Sequence, residues 1–136
     1  MLLWDVEETQ DGAQGTTEVI GSAGVLEMPS ILEAGWGIAH HAGPDHEDTI
    51  LYVTDGTDKI TKISAQSWTV LDQISVTDSH GVPIRDLNEL ELIRDHRDPH
   101  TRTKLAGYIF ANQWHTDKIH LIKLSTGRAV KSWHLD

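Results

Sequence analysis

Cysteine is absent from the 136-residue chain, which excludes a disulfide framework, thiol catalysis and cysteine-ligated zinc. Phenylalanine and tyrosine are scarce, with one Phe and two Tyr against five Trp. No apolar run approaches the length of a membrane span, and residues Met1 to Asp5 lack the basic and apolar regions of a signal peptide. We therefore expect no membrane partner, and the compartment of the protein cannot be read from these residues.

Positive charge is the second deficit. The chain has 11 Lys and Arg against 21 Asp and Glu, a formal net charge of −10 with neutral His. Nucleic-acid binders and proteins of anionic membrane surfaces concentrate positive charge, so the balance argues against both partners. Nine His would remove much of the negative charge if they were titrated.

Short segments rich in β-branched residues, separated by turn signals, predict an all-β protein. These segments are residues 49–53, 59–63, 69–76, 107–111 and 118–124. No 11-residue window shows a convincing helical period of apolar residues. Residues 87–94 are ambiguous, because their composition suits a short helix while Leu87, Leu90 and Leu92 also fit a strand with a kink.

A repeated segment suggests the architecture. Residues 57–60 (TDKI) recur as residues 116–119, an offset of 59. Repeats built from short antiparallel strands are typical of β-propeller blades, which usually take about 40–50 residues each. The offset of 59 exceeds this length, and we assign the excess residues to a polar loop inserted at 95–104. A similar, shorter loop is predicted at 41–48. The prediction is one domain, residues 1–136, that forms a partial propeller of about two to three blades.

Two tryptophans are candidate site residues. Trp36 stands between Gly35 and Gly37, and glycines remove neighbouring side chains and allow unusual backbone angles, so the indole can face a cavity. The alternative, favoured on spacing alone, is that Trp36 fills a contact between blades. Trp114 lies in the densest polar and aromatic cluster, and Asp55 takes its place in the other copy of the repeat. The blade architecture therefore does not require a tryptophan there.

Polar residues in two segments have both a functional and a structural interpretation. Asn88 or Glu89 at a strand end can orient a substrate or pass a proton, although composition alone favours a turn closed by Asn and a solvated Glu pair. For Thr116 and Asp117 we prefer a structural role, in which their side chains bond to the backbone and close the repeated turn.

Histidine clusters raise the question of a metal site. One contains His40, His41 and His46 with Asp45, and the other contains His96 and His100 with Asp95 and Asp98. Zinc sites need ligands held by rigid elements, whereas these clusters lie in the two predicted loops. We therefore expect surface histidines and no metal. A nucleophile-elbow signature and a glycine-rich phosphate loop are also absent from the sequence.

Five segments closely resemble the glutamine cyclotransferase family, the plant and bacterial type of glutaminyl cyclase. They are GWGI (35–38), LYVTDGT (51–57), LNELE (87–91), ANQWHTDKI (111–119) and STGRAVKSW (125–133). The resemblance runs from about Trp4 to Asp136, and it implies a five-bladed propeller. It also implies that the N-terminal glutamine of peptides or proteins is converted into pyroglutamate with release of ammonia, without a metal or another cofactor.

The resemblance also assigns roles to residues. Trp36 would line the pocket, Asn88 would hydrogen-bond the substrate amide or the developing oxyanion, and Trp114 would form an apolar wall. Trp4 matches a further pocket tryptophan, although the residues around it match poorly.

Parts of the family's site are expected to be missing from this chain. The acid/base glutamate of a Gly-Glu-Gly-Leu segment would precede Trp4, and a pocket lysine of the last blade would follow Asp136. The chain on its own is therefore expected to be weakly active or inactive. The alternative is a non-catalytic propeller module that binds peptides. Family members are generally secreted, periplasmic or vacuolar, and this sequence shows no address.

Overall fold

Eight β-strands form the described part of the protein. The computed structural model describes residues 27–41, 49–93 and 107–136. The strands are β1 (Ile38–His41), β2 (Ile50–Thr54), β3 (Lys59–Ser64), β4 (Val70–Ser75), β5 (Leu87–Leu92), β6 (Tyr108–Gln113), β7 (Lys118–Lys123) and β8 (Arg128–His134). Over these residues, no helix long and apolar enough to cross a membrane is found.

The strands form two four-stranded antiparallel sheets, in the orders β1-β2-β3-β4 and β5-β6-β7-β8. Consecutive strands pair in both sheets, which is the arrangement of successive propeller blades. The first strand of the second sheet, β5, lies against β1 and β2 of the first. The two copies of the repeated turn take equivalent places, one between β2 and β3 and the other between β6 and β7. The all-β prediction is confirmed.

Both blades carry the same irregularity in their last strand pair. The register of β3 with β4 shifts between Lys62 and Ile63, and that of β7 with β8 shifts 59 residues later, between Leu121 and Ile122. Each shift leaves one extra residue in the outer strand. Ile63 and Ile122 are both fully buried, so the repeat preserves a bulge as well as a sequence.

The main core lies between the two sheets, and Ile60 of the first sheet and Ile109 and Ile122 of the second belong to it. A smaller cluster on the other side of the first sheet contains Leu32, Val53 and Ile63. Burial of apolar surface between the blades therefore joins the two sheets.

Several predictions concern particular segments. Each of the five predicted strands corresponds to an observed strand, and residues 87–92 form the kinked strand rather than a helix. The strands β1 and β8 are absent from the prediction. Apart from His41, the loops predicted at 41–48 and 95–104 lie outside the described residues, and so does Trp4.

Candidate functional site

Trp36 and Trp114 meet at the end of the two sheets where the repeated turns lie. Trp36 precedes β1, and Trp114 follows β6. Their ring centroids are 6.4 Å apart and their planes are inclined by 68°, an edge-to-face contact. This is a favoured geometry for an aromatic pair, because the positive edge of one ring faces the negative face of the other. The structure thus brings together the two tryptophans that the sequence singles out.

A glycine in the first repeated turn makes room for Trp36. Gly56 has a φ of +81°, and a Cβ placed there would be 2.6 Å from Cζ2 of Trp36. A side chain at this position would therefore need both a disfavoured backbone conformation and a displaced indole. Gly56 allows the indole to lie directly on the backbone of the turn.

The backbone of Asp86 connects the supports of both indoles. Its N–H donates to the carbonyl of Gly56 over 2.9 Å, and its own carbonyl accepts from the N–H of Trp114 over 2.7 Å. Asp86 has a φ of +59°, a left-handed conformation in which Asp is enriched among non-glycine residues. The residue just before β5 therefore ties the turn beneath Trp36 to the strand end that carries Trp114.

Asn88, the second residue of β5, is held against the segment of Trp36 through its backbone. The hydroxyl of buried Thr54 donates to the carbonyl of Asn88 over 2.7 Å and accepts from the N–H of Gly37 over 2.9 Å. A Cβ at Gly37 would be 2.1 Å from that same carbonyl oxygen. The second glycine of the Gly-Trp-Gly segment thus permits close approach of the two blades. Neither Gly35 nor Gly37 has a positive φ.

The position equivalent to Trp114 has a structural role in the first blade. Asp55 is 6% exposed, and its Oδ1 accepts from the backbone N–H and the hydroxyl of Thr57 over 3.1 and 2.6 Å. In the second blade Thr116 closes the turn, because its hydroxyl donates to the carbonyl of Gln113 over 2.8 Å. The second turn therefore closes without an aspartate at position 114, and this position can carry an indole.

Both indoles are partly open to solvent, since Trp36 is 39% exposed and Trp114 48%. Trp36 also borders an apolar groove of about 300 Å³ that Met28, Val53 and Trp68 help to line. Neither Trp114 nor Asn88 is among the residues that line this groove. The two indoles and the groove together present an apolar surface beside the polar strand end of β5.

Within residues 27–41, 49–93 and 107–136, no three His, Asp or Glu side chains lie close enough together to hold a metal ion. His40 and His41 are exposed on β1. The other members of the two histidine clusters lie outside the described residues.

Comparison with known proteins decides the family. A family model described as glutamine cyclotransferase matches residues 23–136. The chain belongs to the glutamine cyclotransferase family. A search of curated proteins found no match.

A solved structure supports the assignment to the glutamine cyclotransferase family. The chain is similar to glutaminyl cyclase from Myxococcus xanthus, with a TM-score of 0.57 and 25% sequence identity. The match covers 74% of this chain and 35% of the Myxococcus protein, so the chain spans about a third of that relative's length. The predicted family and the predicted partial propeller are confirmed.

The structure also shows what the sequence analysis of this family member missed. Asp86 acts through its backbone, which no side-chain motif can reveal. Thr54 lies one residue before Asp55 in the segment LYVTDGT, but nothing in its spacing indicates a bond to Asn88, 34 residues away.

Proposed function

We propose that the protein is a glutaminyl-peptide cyclotransferase, which converts the N-terminal glutamine of peptides and proteins into pyroglutamate. In this proposal the chain contributes two blades, and Trp36, Trp114 and Asn88 form part of the substrate site. The observation that carries the proposal is the edge-to-face contact of the two indoles, 6.4 Å apart, beside the strand of Asn88 in a chain of this family.

The reaction is an intramolecular acyl transfer. The substrate's α-amine nitrogen attacks its own γ-carboxamide carbon, and the carbonyl oxygen becomes an oxyanion. The bond to the amide nitrogen then breaks, and one proton passes from the attacking amine to the leaving group, which departs as ammonia. Nothing is oxidised or reduced, and no water is consumed. The protein must hold the reacting atoms together, stabilise the oxyanion and move that proton.

The indoles and the asparagine suit the first two tasks. Two indole faces restrict the folded-back glutamine side chain and keep water from it, and a drier site strengthens each hydrogen bond inside it. The amide of Asn88 can donate an N–H to the developing oxyanion. Its backbone is already fixed by Thr54, so little reorganisation accompanies the reaction.

Incubation of the purified protein with a peptide that begins with glutamine tests this function. Mass spectrometry is expected to show loss of one ammonia, and an N-acetylated peptide should remain unchanged because its nitrogen is no longer a nucleophile. Asn88→Ala should lower the rate by about 100- to 1000-fold, as loss of an oxyanion donor does. Gln73→Ala is the matched control, because it removes a side-chain amide from β4, where Nε2 of Gln73 donates to the hydroxyl of Thr61 on β3 over 3.1 Å.

Binding is measured beside turnover, so that recognition of the peptide and its cyclisation are read separately. Indole fluorescence should change on addition of the glutaminyl peptide, and Trp114→Ala should weaken that response. Binding without turnover would replace the proposal by the non-catalytic peptide-binding module. A peptide that neither binds nor changes in mass would overturn both.

A further inference from the structure

Three neighbouring strands place a glutamine, a histidine and a serine in one row. Gln113 ends β6, His120 lies in β7 and Ser132 lies in β8, with His120 and Ser132 directly paired across the two strands. The Nδ1 atom of His120 is 2.7 Å from Oγ of Ser132. Its Nε2 atom is 3.3 Å from Oε1 of Gln113.

The partners of His120 fix the positions of its protons. A side-chain amide oxygen only accepts, so Nε2 carries the hydrogen that is donated to Gln113. Nδ1 is then the acceptor, and the hydroxyl of Ser132 is the donor. Burial, followed by the charge of Lys118, lowers the pKa of His120, because both disfavour an additional positive charge. The serine therefore faces an unprotonated base at neutral pH.

The serine also has room for a substrate. His120 is 4% exposed, whereas Ser132 is exposed, and both line a cavity of about 410 Å³. Ile84 contributes apolar surface to the cavity, and Asp78, Lys118 and His134 are the other titratable residues of its lining. A small acyl group fits this volume, and the ammonium of exposed Lys118 can supply positive charge to a developing oxyanion.

We propose that Ser132 is an acyl-accepting nucleophile, with His120 as its general base and Gln113 as a positioning residue. The arrangement has the logic of catalytic triads, in which an amide can serve as the third member, as in Cys-His-Asn proteases. The substrate class is a small activated carboxylic ester. This site uses neither indole nor Asn88, although Gln113 directly precedes Trp114, so the inference does not depend on the cyclisation reaction.

The proposed chemistry has two steps. Oγ of Ser132 attacks the ester carbonyl carbon and its proton passes to Nδ1 of His120; the ester C–O bond then breaks and that proton leaves with the alcohol. Water attacks the acyl-serine and gives one proton to His120, which returns it to Ser132 as the carboxylic acid is released.

A second serine provides an internal comparison. Oγ of Ser79 is 3.3 Å from Nδ1 of His80, but the His80 side chain is 85% exposed. If His120 were only a satisfied core residue, Ser132 would react no faster than Ser79. Activation by His120 predicts that Ser132 reacts faster by at least about 100-fold, the lower range for a positioned general base.

The experiment treats the protein with a fluorophosphonate and locates the adduct by peptide mass spectrometry. We expect the adduct on Ser132 rather than Ser79, no adduct in Ser132→Ala, and unchanged labelling in Ser79→Ala. With p-nitrophenyl acetate, the protein should release a burst of about one equivalent of nitrophenol that Ser132→Ala lacks. Equal labelling of the two serines, or a burst that survives Ser132→Ala, would overturn the proposal.

Gln113 is tested by its effect on the pH profile of labelling. Gln113→Ala should slow the reaction, whereas Gln113→Glu restores an acceptor for Nε2 and raises the pKa of His120, so the midpoint of the profile should move to higher pH. Far-UV circular dichroism verifies that each variant is folded. A folded Gln113→Glu protein with an unmoved midpoint, or a folded His120→Gln protein that labels at the full rate, would refute the assigned roles.

Discussion

Trp36 lies between two glycines that differ in what surrounds them. A Cβ at Gly35 would meet only the Cε methyl of Met28, at 3.4 Å, and the end of a methionine side chain can move. A Cβ at Gly37 would be 2.1 Å from the carbonyl oxygen of Asn88, and backbone cannot move without separating the blades. The two glycines of this segment are therefore not equivalent.

This difference gives a prediction with an adjacent control. Gly37→Ala should lower the free energy of unfolding by about 1–3 kcal/mol or more, the usual cost of overpacking, and it should also displace Asn88. Gly35→Ala should change stability by less than about 0.5 kcal/mol. Urea unfolding followed by tryptophan fluorescence measures both variants. Equal stabilities of the two variants would show that Gly37 does not lie in close contact with the backbone of Asn88 in β5.

At the residue scale, sequence motifs single out the side chains of the candidate site but not the groups that support them. Trp36, Trp114 and Asn88 stand in recognisable segments, and the structure brings the two indoles together. Asp86 could not be predicted, because the amide and carbonyl that it uses are present in nearly every residue. The row of Gln113, His120 and Ser132 has no local motif, since its members come from three strands and meet only through β-sheet register.

The strand β5 also pairs irregularly with its neighbour. Leu87 is paired with Gln113 and Leu90 with Ala111, so three residue steps on β5 match two on β6. The extra residue is a bulge, and it allows leucines three positions apart to face the same side of the sheet. Both are in the core, with Leu87 fully buried and Leu90 7% exposed. The bulge also includes Asn88, the proposed oxyanion donor.

The bulge predicts the outcome of two substitutions in β5. Leu87→Ala and Leu90→Ala should each lower the free energy of unfolding by about 2–5 kcal/mol, as for other buried leucines. In a regular strand one of the two would face away from the core and cost little. Exposed Glu91 is the control, and Glu91→Ala should remain within about 0.5 kcal/mol of the parent. Denaturant midpoints provide the measurement; a surface-like cost at Leu90 would rule out the bulge.

Element prediction missed two of the edge strands of the described sheets, β1 and β8. The five predicted strands alternate or cluster apolar residues, including the edge strand β4, in which no residue is buried. In β8 only Ala129 is buried, so the strand has little apolar pattern, and β1 is four residues long with two histidines. Backbone pairing rather than side-chain burial defines both of these strands.

Backbone contacts also join the two blades between the end of β4 and the start of β8. The N–H of Thr77, just after β4, donates to the carbonyl of Gly127 over 3.0 Å, and the N–H of Ala129 donates to the carbonyl of Thr77 over 2.8 Å. Gly127 has a φ of +69°, and a Cβ there would be 1.9 Å from the carbonyl of Ser75. The blades are thus in close backbone contact at β8 as well as at β5. Together with the core between the blades, these contacts hold the turn beneath Trp36 and the strand end that carries Trp114 in one unit.

At the scale of the whole molecule, the net charge of −10 should influence which peptides the proposed site receives. Exposed acidic residues flank the segments of the candidate site in the sequence: Glu33 precedes β1, Asp86 precedes β5, and Glu89 follows Asn88. An excess of one charge speeds the approach of oppositely charged ligands by about 10-fold or more at low salt, and salt screens the effect.

We therefore expect association rates to follow peptide charge. A peptide in which lysines follow the N-terminal glutamine should associate at least about tenfold faster at low salt than one with glutamates, with a serine peptide between them. The difference should shrink toward none at about 0.5 M salt, where the Debye length is only about 4 Å and long-range attraction is screened. Stopped-flow indole fluorescence measures the three rates. Rates that keep their order at high salt would assign the preference to direct contacts in the site, because only long-range attraction is removed by screening.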